Sequence, residues 1–186
     1  HDNKELKVST QNTVSAALKL DSDIHVLVAG SDCNSVAEET ATCEGVTKVL
    51  CVDSKEYENF LAENIANLIK NLSSDYSAIL APATTNGKNY MPRVAALLDV
   101  AQISDISAVE SEDTFQRAIY AGNCIATVQS SDSKKVITVR TTAFDATPKG
   151  SNSAEILKLE EVNDAGISEF IKEELAKSDR PELTAA

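Results

Sequence analysis

Short apolar runs alternate with amphipathic stretches through the first hundred residues, and this alternation limits the fold more than any other feature. The apolar runs cover residues 24–29, 48–52 and 78–81. Between the last two, apolar residues recur at three- and four-residue steps from Tyr57 to Leu72, which is typical of a helix with one buried face. Strands that alternate with helices form βαβ units with parallel pairing. The sequence therefore predicts a three-layer α/β/α fold around a mainly parallel sheet.

Capping residues and apolar periodicity place the helices. Ser9 and Thr10 are candidate caps for the first helix, and Ser31 and Asp32 for the second. Proline is tolerated in the first turn of a helix, so a helix that follows a loop over 83–89 is predicted to hold Pro92 there. The predicted helices cover 9–20, 31–42, 57–72, a stretch from about residue 90, and 168–177.

The second half of the chain has a different pattern. Strand-like runs at 103–109, 114–120, 123–130 and 135–139 leave little room for helices between them. Ala121-Gly122 and residues 131–133 are turn signals at hairpin spacing. The sheet is therefore predicted to end in antiparallel strands, and residues 154–162 are a further candidate strand.

Length and charge narrow the class of protein. The 186 residues suit one domain, and 17 Lys and Arg against 29 Asp and Glu give a net charge of −12. This charge disfavours nucleic acid and anionic lipid as partners. No apolar run approaches the roughly 18 residues of a membrane span.

The cysteines and histidines do not form a metal-binding pattern. No pair among Cys33, Cys43, Cys51 and Cys124 has the C-x-x-C spacing, and the chain holds two histidines. We interpret the four cysteines as free, buried thiols. His25 lies within a predicted strand and is interpreted as a hydrogen-bonded structural residue.

The loop from Thr84 to Asn89 is a candidate anion-binding segment. Thr84, Thr85, Gly87 and Lys88 follow a predicted strand and precede a helix, where free backbone N–H groups attract negative charge. The glycine spacing and Lys-Ser/Thr pair of a Walker loop are absent. Two interpretations stay open: a helix cap with a surface lysine, or an adenine-nucleotide-binding module that uses the loop from Thr84 to Asn89.

No arrangement of residues indicates catalysis. The chain lacks a G-x-S-x-G elbow, and Gly30 stands alone where a dinucleotide fingerprint needs three glycines. Arg117 and Arg140 are charges inside strand-like runs, where a charge needs a partner. We interpret them first as salt-bridged edge or interface residues and second as ligand contacts. With Tyr120 and Asn123, they are our candidates for contacts across a subunit or domain boundary.

Several long segments resemble the α subunit of electron transfer flavoproteins. They are APATTNGKNYMPRVAALLDVAQISDI at 81–106, RAIYAGN at 117–123, ATVQSS at 126–131 and VITVRTTAF at 136–144. The opening HDN, LVAG at 27–30 and DRPEL at 179–183 fit the same pattern. The resemblance covers nearly the whole chain.

The resemblance implies a two-subunit electron carrier of fatty acid β-oxidation. In this family the protein takes electrons from flavin dehydrogenases and passes them to a membrane quinone oxidoreductase, in the bacterial cytoplasm or the mitochondrial matrix. The α subunit has an N-terminal Rossmann-like domain, related to nucleotide α-hydrolase-like folds, that packs against the β subunit. Its C-terminal domain holds nearly all contacts to FAD, and an AMP belongs to the β subunit.

The chain departs from the family pattern in two places. The apolar strand that precedes HDN in the family is missing, which should leave a gap in the parallel sheet. The FAD domain is also missing, with residues 178–186 corresponding to the start of the linker that leads to it. We therefore expect residues 1–186 to form a single N-terminal domain with no catalytic, metal or cofactor residues of its own.

Overall fold

The computed structural model describes residues 1–162 and 164–174, which form helices packed on both faces of a central layer of strands. The strands are β1 Ile24–Gly30, β2 Val46–Asp53, β3 Ala78–Pro82, β4 Gln102–Val109, β5 Thr114–Ile119, β6 Cys124–Gln129, β7 Lys135–Val139 and β8 Glu155–Lys158. The helices are α1 Val8–Ala17, α2 Asn34–Ala41, α3 Ala62–Leu72 and α4 Thr85–Leu97. The predicted three-layer α/β/α class is confirmed.

The central layer consists of two sheets. The first has the order β1-β2-β8, and all its strands are parallel. The second has the order β3-β7-β4-β5-β6. Its β3, β7 and β4 are parallel, while β4, β5 and β6 form an antiparallel meander. The antiparallel end is as predicted, but the insertion of β7 between β3 and β4 could not be read from the sequence.

Both faces of the strand layer are covered by helices. On one face Val14 of α1 and Val36 of α2 pack on Val28 and Val49, and Ala16 of α1 reaches the second sheet. On the opposite face, α3 and α4 cover the strands through apolar clusters that include Leu68 of α3 with Val52 of β2, and Met91 and Val94 of α4 with Val136 of β7. Continuous burial on both faces explains why the strands read as apolar runs.

A slot separates the two sheets. β1 and β3 are edge strands, and a cavity of about 1610 Å³ between them is lined by both, together with Val14, Ile69 and Met91 from the flanking helices. His1 lines the same cavity. The strand layer is therefore divided between β1 and β3, and the expectation that a strand is missing from it stays a prediction.

The third and first helices are shorter than predicted. Residues Lys55–Tyr57 form a 3-10 turn, Phe60 has a φ of 51°, and α3 begins at Ala62. A positive φ ends any regular helix, so the apolar stripe from Tyr57 spans two elements. α1 begins at Val8 rather than after a Ser9 or Thr10 cap, and α2 is preceded by Cys33 rather than capped by Ser31 or Asp32.

The fourth helix begins earlier than predicted. Thr84 is its N-cap, and the predicted loop from Thr85 onward is its first two turns. Pro92 consequently lies inside α4, where it cannot donate a backbone hydrogen bond to the preceding turn. The first-turn position predicted for Pro92 was wrong because the polar run before it was taken for a loop.

The C-terminal predictions are partly wrong. β8 covers four residues rather than 154–162, and residues 168–174 are not helical. The remainder of that predicted helix and the linker at 178–186 lie outside the described residues.

Candidate subunit interface

The hairpin of β5 and β6 carries three of the four interface candidates. The strands pair in register from Thr114 opposite Gln129 to Ile119 opposite Cys124. Tyr120–Gly122 form a 3-10 turn in which all three residues have positive φ. Asn123 Nδ2 donates to the carbonyl of Tyr120 at 2.9 Å and holds this turn closed.

The hairpin exposes two large apolar residues to solvent. The side chain of Tyr120 is 77% exposed and that of Ile125 is 59% exposed. Cys124 is exposed as well, so the predicted burial of all four thiols is wrong for this one, while Cys33, Cys43 and Cys51 are buried. β6 is an edge strand, and its backbone is unpaired on the outer side. Such an edge is a template for pairing with another chain.

Arg140 follows β7 and has an acidic partner. Its Nη2 donates to Asp105 Oδ2 at 2.6 Å, and this hydrogen bond raises the pKa of Arg140. Asp105 sits at an irregularity of β4 with a φ of 57°, and its backbone N–H donates to Thr138 Oγ1 at 2.8 Å. The salt bridge predicted for Arg140 is present, with Asp105 as its acidic partner.

Arg117 has no such partner. Its side chain is half-buried on β5, and no ion pair of it occurs within residues 1–162 and 164–174. Arg117 lies opposite Ile106 of β4, and the backbone N–H of Arg140 donates to the carbonyl of Ile106. The fold thus brings the two arginines to the same level of the sheet, on either side of one residue, although they are distant in sequence.

The anion candidates form the start of α4. Thr84 Oγ1 accepts from the backbone N–H of Gly87 at 3.3 Å, so one free donor of the first turn is already used. Thr85 and Lys88 are exposed. Gly87 is buried, and a Cβ there would stand 2.0 Å from the carbonyl oxygen of Pro82. The geometry is that of a capped helix, with the remaining N–H groups of its first turn at the mouth of the slot.

His25 also lines the slot. Its Nδ1 is 2.8 Å from the hydroxyl of Tyr76, and its Nε2 is 3.3 Å from Asp23 Oδ1. The hydrogen bonding predicted for His25 is therefore present, while its structural role stays a prediction. Its two partners were not predicted, because they lie outside the periodic elements.

The described residues lack both a metal-binding cluster and a membrane-spanning helix. They contain no group of three or more His, Cys, Asp or Glu side chains arranged to hold a metal ion. Within the same part of the chain, no helix has both the length and the apolar character that crossing a bilayer requires.

Comparison with known proteins decides the family. Residues 1–164 match the model of the electron transfer flavoprotein domain. The chain belongs to the electron transfer flavoprotein family. Its resemblance to α subunits is confirmed by relatives that carry this name. The electron transfer flavoprotein subunit alpha of Pseudomonas aeruginosa is 60% identical over 186 residues, which is 100% of this chain and 60% of that protein.

More distant relatives show how widely these electron transfer flavoprotein subunits occur. The subunit alpha of Paracoccus denitrificans is 51% identical over 171 residues, or 92% of this chain and 55% of the relative. The mitochondrial subunit alpha of Dictyostelium discoideum is 48% identical over an alignment that covers 100% of this chain and 57% of the relative. The chain thus spans about three fifths of the length of the relatives it matches.

Proposed function

We propose that this chain is the N-terminal domain of an electron transfer flavoprotein α subunit and serves as the scaffold that packs against the β subunit. The complete protein carries electrons from flavin dehydrogenases to a quinone oxidoreductase. FAD is bound mainly by a C-terminal part of the α subunit, and AMP by the β subunit. The domain itself catalyses no reaction. The names of the relatives, from bacteria and from mitochondria, support this role in the bacterial cytoplasm or the mitochondrial matrix.

The observation that carries the proposal is the exposed β5–β6 hairpin. A tyrosine that is 77% exposed and an isoleucine that is 59% exposed stand beside an unpaired strand edge. Aromatic residues and arginine are enriched in interfaces. Arg117, Tyr120, Asn123 and Arg140 are accordingly the residues that we assign to contacts with the β subunit or with the FAD domain.

The slot supports the assignment of the chain as one domain of a longer protein. Its walls are the unpaired edges of β1 and β3 and apolar residues of the flanking helices. In the complete protein, a strand that precedes His1 fills the slot and joins the two sheets into one. Residues 178–186 lead to the FAD domain.

Association with a β subunit tests the scaffold role. The purified chain, mixed with an electron transfer flavoprotein β subunit, should elute from size exclusion as a one-to-one complex. The chain alone, mixed with FAD and desalted, should retain no flavin absorbance. Absence of a complex would contradict the scaffold role, and stoichiometric flavin on the chain alone would show a redox site within it.

The same preparation separates the nucleotide alternative. A scaffold should give no saturable heat signal when titrated with AMP or ATP. Saturable binding that is lost in Lys88→Ala, but kept in the matched surface variant Lys70→Ala, would assign the function to the start of α4 instead.

A further inference from the structure

Among residues 1–162 and 164–174, nothing forms a hydrogen bond with the side chain of Arg117. Its Nε is shielded from solvent, and among the residues that the structure describes it is the one buried side-chain nitrogen or oxygen without a partner. Native proteins rarely leave a buried donor unpaired, and a charged donor is the costliest to leave so. In the free chain, the Nε of Arg117 is therefore an unsatisfied hydrogen-bond donor.

The other arginines of the described chain have acidic partners within it. Arg93 pairs with Glu63 at 2.7 Å, and Arg140 pairs with Asp105 at 2.6 Å. The chain holds 29 acidic residues against 17 basic ones, so acids are plentiful. Arg117 stays unpaired within the described part of this acidic chain, which favours an acceptor that is supplied by another molecule.

The guanidinium lines a small open pocket. The pocket has a volume of about 340 Å³ and is also lined by Gln129, Ser131 and Asp132. The carboxylate of Asp132 accepts from the backbone N–H of Ala101 at 2.9 Å, and Gln129 Nε2 donates to Asp113 at 2.8 Å. Asp132 and Gln129 are thus engaged within the chain, so an incoming carboxylate would meet the guanidinium of Arg117 and the hydroxyl of Ser131 as donors.

The pocket adjoins the free edge of β6, which lacks the usual protection. β6 holds neither a charged residue nor a proline, and Ile125 on it is exposed. The edge strand of the other sheet, β8, carries Glu155 and Lys158. Charges on an edge strand disfavour pairing with another protein chain. β8 has this protection and β6 does not. An edge strand without charges, next to an unpaired arginine, is suited to bind an extended segment of a partner protein.

We propose that the pocket around Arg117 receives a carboxylate side chain from an extended segment of the β subunit, which adds to the sheet along the free edge of β6. Backbone hydrogen bonds to β6 supply affinity, and the carboxylate fixes the register, as in other strand-addition complexes. This inference rests on the proposed packing against the β subunit and names the chemistry of that contact.

Calorimetric titration of the chain with the β subunit tests the inference. Arg117→Met removes the charge and keeps the length of the side chain, and Ile125→Lys places a charge on the edge. Each should raise the Kd at least tenfold. The matched controls Arg93→Met and Leu97→Lys, which change a paired arginine and an exposed apolar residue of α4, should leave it within about twofold of wild type.

Two further measurements keep the outcome decisive. The melting temperature of free Arg117→Met should equal or exceed that of wild type, because no internal bond is lost. Amide exchange of β6 in the wild-type chain should slow when the β subunit binds, which tests the edge even if a variant misfolds. Unchanged affinity in both variants together with unchanged β6 exchange would overturn the inference while leaving the scaffold role intact.

Two other outcomes would also count against the inference. If the wild-type chain fails to bind the β subunit, the scaffold role fails with it. If the free chain dimerises, and Ile125→Lys makes it monomeric, the edge pairs with a second copy of the chain rather than with the β subunit.

Discussion

The four cysteines differ in their exposure to solvent, and we expect them to differ in reactivity as well. Burial raises the pKa of Cys33 to about 12 and also raises the pKa of Cys43 and Cys51. Cys124 is exposed on β6. Since the thiolate is the reactive form, a raised pKa and burial both suppress reaction with thiol reagents.

We expect one thiol per native chain to react rapidly with Ellman's reagent at about pH 8. All four should react after denaturation, and Cys124→Ser should abolish the fast reaction. Rapid reaction of a second thiol in the native chain would show that the core around Cys33 or Cys43 opens readily.

At the residue scale, the sequence predicts chemical needs better than it predicts partners. Because Arg140 is a charge within a strand-like run, the sequence predicted that it has an acidic partner. Asp105 is that partner. The same rule applied to Arg117 predicted a partner that the described part of the chain does not provide. The sequence pattern cannot distinguish the paired Arg140 from the unpaired Arg117. Whether an arginine has a partner depends on which acidic side chains the packing of the strands places within hydrogen-bond distance.

At the scale of elements, the turn between β4 and β5 depends on one carboxylate. Asp113 accepts from the hydroxyl of Thr114 at 2.7 Å, from Gln129 Nε2 at 2.8 Å and from the hydroxyl of Ser111 at 2.8 Å. These hydrogen bonds, with that of Thr114 the largest cause, lower the pKa of Asp113 to about 2. The bond to Gln129 ties the turn to β6.

The lowered pKa of Asp113 has a direct consequence for acid stability. A carboxyl whose pKa is lower in the folded state stabilises the fold above its unfolded value, about 3.9, and loses this contribution as pH falls toward about 2. At pH 6, the Asp113→Asn variant should therefore unfold at a lower urea concentration than wild type. The difference between their unfolding midpoints should become smaller as the pH falls to about 2. Glu112→Gln, at an exposed neighbour, serves as the control. A difference that stays constant across this range would contradict the assignment.

Element types were predictable and several boundaries were not. The βαβ alternation and the hairpin turns follow from apolar period and turn residues, which are local properties of the chain. The start of α4 was missed because a polar run such as 85–89 suits a loop as well as an exposed helical turn. Phe60 belongs to the apolar stripe, yet its positive φ ends the regular structure there. Periodicity records which side chains are buried and does not record the backbone angles between them.

At the scale of the whole molecule, the divided sheet leads to a test of the slot. We expect the chain to unfold at higher urea when an apolar strand is added before His1. Amide exchange at β1 and β3 should slow at the same time, because both edges would gain a hydrogen-bonded neighbour. An extension of equal length made of Gly and Ser is the matched control. Equal stability and exchange in the two versions would show that the slot has another occupant.

The order of strands within the sheets lay beyond the sequence. Local pattern predicts that parallel and antiparallel parts exist, while the placement of β7 between β3 and β4 depends on contacts between distant segments. The family resemblance predicted a gap in the parallel sheet without giving its position, since no periodicity within the chain marks a missing neighbour.

The pairing of β8 with β2 affects how the chain must be made. β8 lies near the end of the described sequence, yet it completes the sheet that β1 and β2 begin, with Glu155 opposite Lys48. During synthesis, β2 therefore emerges from the ribosome long before the strand that covers its outer edge. Until then its buried apolar residues, such as Leu50, have one neighbouring strand instead of two. Closure of this sheet is a late, long-range step, and the nascent chain passes through a period of exposure that chaperones are suited to cover.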